Sequence, residues 1–273
     1  MGDDLLDENR IEAAMVNGHD ALSPLKRDLV AGLEKGLAVI EAFDHERPRL
    51  TISEVAERTG LTRAAARRYL ITLTHLGFVN QERKMFALAP RVLRLSQSYM
   101  HSARLPRIVQ PALMELANTL KEASASSVLD ADDAICIAAT SAGRAVSATL
   151  QPGVHVPAYC TANGRVMVAA LAPEAAQAWL MRQPLRALTA HTMTQPERLA
   201  REIERVRVQG YATIDQEMEL GMRTLAVPLK NFRGDTVAAL NLVVHASRMS
   251  IDDLVQTGLP SLLQAQARLR QLL

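Results

Sequence analysis

Cysteine is nearly absent: the 273 residues hold two, Cys136 and Cys160, 24 positions apart. That spacing supports neither a disulfide framework nor a zinc pattern. Aromatics are equally sparse, nine residues or 3%, which argues against single-strand or RNA binding on stacked aromatic platforms. No apolar run approaches the ~20 residues of a membrane span. The opening MGDDLLDENR is acidic and lacks the basic-then-apolar order of a secretory signal. A reduced, cytoplasmic protein with no membrane partner is therefore expected. Signatures for phosphate loops, zinc proteases, serine-hydrolase elbows and zinc fingers are missing, and the seven histidines never form a ligand pair. No metal and no cofactor are expected.

What the chain does have is a 48% apolar composition, enough for a substantial core. Its net charge of +2 hides an uneven distribution. Residues 1–25 carry six acids and one base, and read as a flexible acidic tail. Residues 49–94 carry nine Lys/Arg against three Glu, whereas 102–273 carry seventeen bases and fifteen acids. A basic module between an acidic tail and a balanced body implies a polyanionic partner for that module alone.

Within the module, Leu29, Leu33, Leu37, Ile40 and Phe43 recur at helical spacing. Thr51 and Glu54 then make a capping box that opens a helix stopped by Gly60. Thr62 caps the next helix, Arg63 to Leu76, with Gly77 beyond it. Its inner face holds Ala66, Tyr69, Leu73 and Leu76; Ala64, Arg67, Arg68, Ile71 and His75 face outward. Two short helices about a Gly-containing turn, the second basic outside, form a helix-turn-helix pattern. Residues 78–80 and 85–88 around the polar tip 81–84 complete a wing. Pro90 opens a connector helix to about Met100.

The remaining residues alternate strands and helices with short hairpins, which indicates an α+β fold on a mostly antiparallel sheet. Strands are expected at 126–129, 135–139, 145–150, 211–216, 224–230 and 237–244. Helices are expected at 111–122, 161–171, 173–182, 196–209 and from Ser250 onward, the last bent or broken at Pro260. The domain plan is thus a tail at 1–25, a winged helix-turn-helix at 26–89, a linker helix at 90–104, and a C-terminal domain at 105–273.

Candidate DNA contacts are Thr62 and Arg63 at a helix N-terminus, Ala64 for close approach, and Arg67, Arg68 and Ile71 on the outer face. Arg83 and Lys84 stand at the wing tip. The plainer alternative is a solvated basic face. In the C-terminal part, Asp215, Glu217 and Glu219 could share a strand face and do acid–base work. Cys160 could be a nucleophile beside a helix N-terminus, and Thr161–Arg165 could offer free N–H groups to a carboxylate. Solvated carboxylates, a buried thiol and an ordinary strand-to-helix turn are the corresponding structural alternatives. A small-acid enzyme using Asp215 or Cys160, and a DNA binder without an effector, are the rival functions.

Five stretches carry a resemblance: LEKGLAVIEAF (33–43), LTISEVAERTGLTRAAARRYLITLTHLGFV (50–79), VPAYCTANGRVMVAAL (156–171), GYATIDQEMELGMRTLAVPL (210–229) and AALNLV (238–243). Together they resemble IclR-type transcriptional regulators, most closely the PcaR/PobR branch that controls protocatechuate and 4-hydroxybenzoate catabolism. The resemblance covers about residues 29–273. It implies a C-terminal GAF-like α+β effector domain binding a small organic acid, double-stranded operator DNA as partner, and a homodimer or tetramer. The effector carboxylate would meet the N–H groups of Ala162 and Asn163. The pocket would include Asp215, Thr224 and Asn241, walled by Val128, Met222 and Val243. Ala162-Asn163 departs from the Ser-Met usual in that branch, as Asn241 and Val243 depart from hydroxyl-bearing positions elsewhere in the family. The implied effector is an aromatic acid or its ring-cleavage product, of the 4-hydroxybenzoate, protocatechuate or β-ketoadipate type.

Overall fold

The computed structural model describes residues 28–44, 46–141 and 150–273. The expected tail at 1–25, and all of the strand expected at 145–150 except Leu150, lie outside the described residues. Two compact units meet in sequence at Ser102 and Ala103.

The first unit has helices α1 (Ala31–Glu41), α2 (Ile52–Thr59) and α3 (Arg63–His75), then strands β1 (Val79–Glu82) and β2 (Met85–Leu88), and helix α4 (Leu93–Ser102) after a single 3-10 turn. Both caps form as the residue types require. Thr51 Oγ1 accepts the Glu54 N–H, and the Thr51 N–H donates to Glu54 Oε2 at 2.7 Å. Thr62 Oγ1 accepts the Ala65 N–H at 3.2 Å. Gly60 closes α2 at φ 66°, in the left-handed region that suits glycine. The small core comprises Val39, Phe43, Leu50, Val55, Ala66, Leu70, Leu73, Val79 and Phe86 among others.

Two expectations change here. Leu29, Leu33 and Leu37 are exposed rather than inward, because α1 buries Val39 and leaves the leucine stripe at 46–63% exposure. Leu76 caps α3 and is likewise exposed.

In the second unit, α5 (Arg104–Leu120) leads to β3 (Ala123–Asp130) and β4 (Asp133–Thr140). After β5 (His155–Pro157) come α6 (Ala162–Ala169), α7 (Pro173–Met181) and α8 (Pro196–Gln209). β6 (Ala212–Asp215), β7 (Met222–Lys230), β8 (Thr236–His245) and α9 (Ile251–Leu269) complete it. The sheet order is β5-β4-β3-β8-β7-β6, with every pair antiparallel. α5 and α9 pack on one face, around Leu113, Leu225, Val227, Leu240, Leu242 and Leu262. α6, α7 and α8 pack on the other, around Tyr159, Val166, Trp179, Leu199 and Ile214.

Proline misleads at both ends of this unit. Pro111 was expected to open its helix but sits inside α5, which starts at Arg104 and holds Pro106 in its first turn, where no N–H partner is needed. α9 runs unbroken through Pro260. Its packing on the sheet is close enough that a Cβ on Gly258 would lie 2.7 Å from Leu242 Cδ1, so burial outweighs the one hydrogen bond that proline forfeits. The short β5 escaped notice because three residues ending in proline carry no periodic signal.

Candidate functional site

α3 presents Arg63, Ala64, Arg67, Arg68 and Ile71 as exposed side chains, while Ala66, Leu70 and Leu73 anchor it to the core. Thr62 caps it and is itself exposed. The wing turns on two residues, Arg83 and Lys84, rather than the four of the expected tip, and Arg83 adopts φ 55°. Among the described residues, no carboxylate pairs with Arg63, Arg67, Arg68, Arg83 or Lys84, whereas Glu82 beside them pairs with Arg49 at 3.0 Å. These cations are therefore available to an external anion.

The second unit holds a cavity of about 640 Å³, open mouth included. Its floor is the α6 face of the sheet. Ala162, Asn163, Met222, Thr224, Asn241 and Val243, expected to act together, all line it. Ser127, Cys136, Leu150, Met218 and Glu219 line it too and were not expected to. Lysine, arginine and histidine are absent from the described lining.

Val128 and Asp215 do not line the cavity, and strand alternation explains both. Successive side chains of a strand point to opposite faces. On β3, Ser127 faces the cavity, so Val128 packs with the α5/α9 core instead. On β6, Ile214 faces the cavity and Asp215 turns away. Asp215 pairs with Arg223 across the β6–β7 ladder at 2.8 Å, and hydrogen bonding from that guanidinium holds its carboxyl below the usual carboxylate range. Asp215, Glu217 and Glu219 thus do not share a face. Glu217 is buried in a bidentate pair with Arg165, at 2.8 and 2.6 Å, and also accepts the Met193 N–H. Arg165 Nε donates to the Tyr159 carbonyl at 2.9 Å, which ties α6 to the turn before it.

That pair was missed, although both residues stood in the motifs that carried the resemblance. What could have found it is a lone arginine directly before the apolar run VMVAAL (166–171), since a buried cation requires a partner. Cys160 is buried, and burial pushes its thiol up to about 12. A thiol that stays protonated at neutral pH is a poor nucleophile, so neither proposed catalytic group is set up for chemistry.

The cavity's chemistry lies in its unpartnered groups. Thr161 Oγ1 accepts the Gly164 N–H and the Thr161 carbonyl accepts the Arg165 N–H. The first two N–H groups of α6, on Ala162 and Asn163, are left at the positive end of the helix. Gly164 is obligatory there, since a Cβ would collide with the Ala158 backbone. Asn163 Oδ1, Thr224 Oγ1 and Asn241 Oδ1 are buried without hydrogen-bond partners. Buried polar atoms left unpaired are costly, so their gathering in one cavity points to a polar ligand.

A winged helix-turn-helix unit, joined in one chain to an α+β unit with a ligand cavity, defines a ligand-sensing class of DNA-binding protein. The profile for the IclR helix-turn-helix domain matches residues 32–83, and that for the bacterial transcriptional regulator IclR C-terminal domain matches 97–269. The chain belongs to the IclR family of bacterial transcriptional regulators. It is 38% identical over 252 residues to a Pseudomonas putida protein named Pca regulon regulatory protein, covering 89% of this chain and 87% of that one. It is 35% identical over 263 residues to the p-hydroxybenzoate hydroxylase transcriptional activator of Acinetobacter baylyi, covering 94% and 97%. The inducer-binding domain of an Acinetobacter PobR double mutant, solved with 3-hydroxybenzoic acid, superimposes with a TM-score of 0.60 at 28% identity. It covers 63% of this chain and all of that one. These relatives are named as regulators, and none of them as an enzyme. Among the described residues no helix is long and apolar enough to cross a membrane.

Proposed function

We propose that this protein regulates a catabolic operon from the cytoplasm by binding operator DNA through its first unit and a small organic acid through its second. Thr62 and Arg63 place backbone N–H groups and positive charge at the α3 N-terminus for phosphate. Arg67 and Arg68 present forked donors to base edges or backbone, Ala64 and Ile71 permit close approach, and Arg83 and Lys84 reach from the wing. The exposed leucines of α1 and Leu93, Leu95 and Tyr99 of α4 offer apolar surface for a second copy. That arrangement supports a homodimer, or a tetramer built from it, on a two-fold operator.

The observation that carries the sensor half is the set of unpartnered groups around one apolar cavity. A carboxylate caps Ala162 and Asn163, while Thr224 and Asn241 take the ligand's polar substituents against Met222 and Val243. The ligand classes follow from the relatives' names: an aromatic acid or a product of its ring cleavage. Melting the full-length protein against a panel of such acids tests this. Saturable stabilisation following RT ln(1 + [L]/Kd) is expected for at least one; a panel without any shift removes the sensor role.

A further inference from the structure

The outward side chains of α3 fall into two rows that its packing keeps apart. A helix turns about 100° per residue, so positions can be placed around the axis from Ala66, which is buried with Leu70 and Leu73. Arg68, Ala64 and Ile71 then lie about 200°, about 160° and about 140° round, opposite the buried stripe. Arg67 lies only about 100° round and Arg63 about 60°, together on one flank. These side chains are all exposed. The other flank is occupied by Tyr69, which lies against α1: a Cβ on Gly32 or Gly36 would stand 3.9 Å from it. With Tyr69 on α1 and Leu70 and Leu73 in the core, α3 cannot roll to bring Arg67 to the centre of its outer face.

That setting divides the work between two neighbouring arginines. A helix in a major groove turns the residues opposite its buried stripe to the base edges, and those on its flank to a groove wall, which is phosphate. On the central row Arg68 carries the hydrogen-bonding group, and its planar fork matches guanine O6 and N7. His75 continues the row, but about 10 Å further toward the C-terminal end, beyond the N-terminal part of such a helix that reaches bases. Ala64 and Ile71 lie about 6 Å before Arg68 and about 4.5 Å after it along the axis. Stacked bases repeat every ~3.4 Å, so both apolar side chains fall within two base pairs of the guanine. A thymine methyl is the group complementary to each. Thr72, on the edge toward Tyr69, donates its hydroxyl proton to the Arg68 carbonyl at 2.9 Å and has no donor left for phosphate. Arg63 and Arg67 are the charged donors that α3 itself offers a backbone strand.

We infer that Arg68 is the residue of α3 that specifies sequence, reading a guanine bounded within two base pairs by thymines packed on Ala64 and Ile71, while Arg63 and Arg67 hold phosphate and specify none. This rests on the operator-binding reading and separates two arginines that it leaves equivalent.

Selection of duplexes randomised over two half-sites by the full-length protein, followed by binding titrations across salt, tests it. The wild type enriches a guanine with flanking thymines in each half-site. Arg68→Ala loses the preference at the guanine alone, and its affinity for the selected duplex falls about fivefold or more. Arg67→Ala enriches the same sequence as the wild type. It weakens selected and random duplexes by one common factor and lowers the slope of log K against log[salt] by about one per subunit. Replacing the selected thymines by deoxyuridine removes only their methyls, and weakens binding by the wild type more than by Ile71→Ala. A wild-type consensus without that guanine, a guanine preference that survives Arg68→Ala, or one that Arg67→Ala abolishes overturns the inference and leaves the operator-binding reading standing. So does a uridine duplex that the wild type binds as tightly as its thymine parent. A pool that yields no shared sequence overturns both.

Discussion

The two faces of the six-stranded sheet are made by the same strands and differ in almost everything else. Against α5 and α9, neighbouring strands present Leu225, Val227, Leu229, Leu240 and Leu242, all buried in an apolar core. Against α6, the residues between them are Met222, Thr224, Asn241 and Val243, which border a cavity. One face contributes stability through packing, and the other carries unsatisfied polar atoms whose cost that packing has to offset. The contrast operates residue by residue, because a single step along a strand changes the face and with it the role.

Adjacent positions should therefore respond in opposite ways. Breaking the ion pair that braces the cavity side, by Glu217→Ala, has the largest expected effect. It leaves the Arg165 charge buried without its counter-charge, at about 3–5 kcal/mol, measured by urea unfolding. Leu240→Ala, on the packed face, should cost about 2–5 kcal/mol with effector affinity retained. Its neighbour Asn241→Leu should leave the unliganded protein unchanged or more stable by about 1 kcal/mol, because an unpaired buried acceptor is removed, yet abolish the acid-induced rise in Tm. If both substitutions destabilise alike, the division of labour between faces is wrong.

The first unit supplies a smaller effect: Thr51→Ala should cost about 1 kcal/mol through loss of the α2 cap. Smallest of all, Cys136 and Cys160 should resist alkylation in the native protein at neutral pH. Burial raises these thiols to about 11 and about 12, so thiolate appears only as pH climbs toward those values, and reactivity should rise with pH over that range.

How far the residues alone reveal this arrangement depends on which interactions decide it. Capping by Thr51 and Thr62, and the outward arginines of α3, are local; they follow from neighbours in sequence and are read directly. So is Gly210, which ends α8 at φ 80°. The cavity is different, because its lining is assembled from all six strands of the sheet and α6, and no local pattern fixes the phase of a strand buried on both faces. In VLD at 128–130, or in ATID at 212–215, apolar and polar residues do not alternate strongly enough to show which one faces inward. The resemblance implies Val128 and Asp215 in the pocket, and nothing in these two segments contradicts that phase before the strands are seen paired. Ser127 went unnoticed because its role is to hold Asn163, 36 positions away. The Arg165–Glu217 pair spans 52 positions and is equally invisible to any periodicity.

The two units meet in the account at one point: acid bound in the second must alter DNA affinity of the first. Operator affinity measured at fixed near-physiological salt, with and without saturating acid, tests this most directly, using the wild type and Asn241→Leu side by side. A coupling of about 1–3 kcal/mol predicts a change of roughly 5- to 150-fold in the wild type and none in the variant. Wild-type operator affinity that stays the same while calorimetry shows the cavity filled would contradict it.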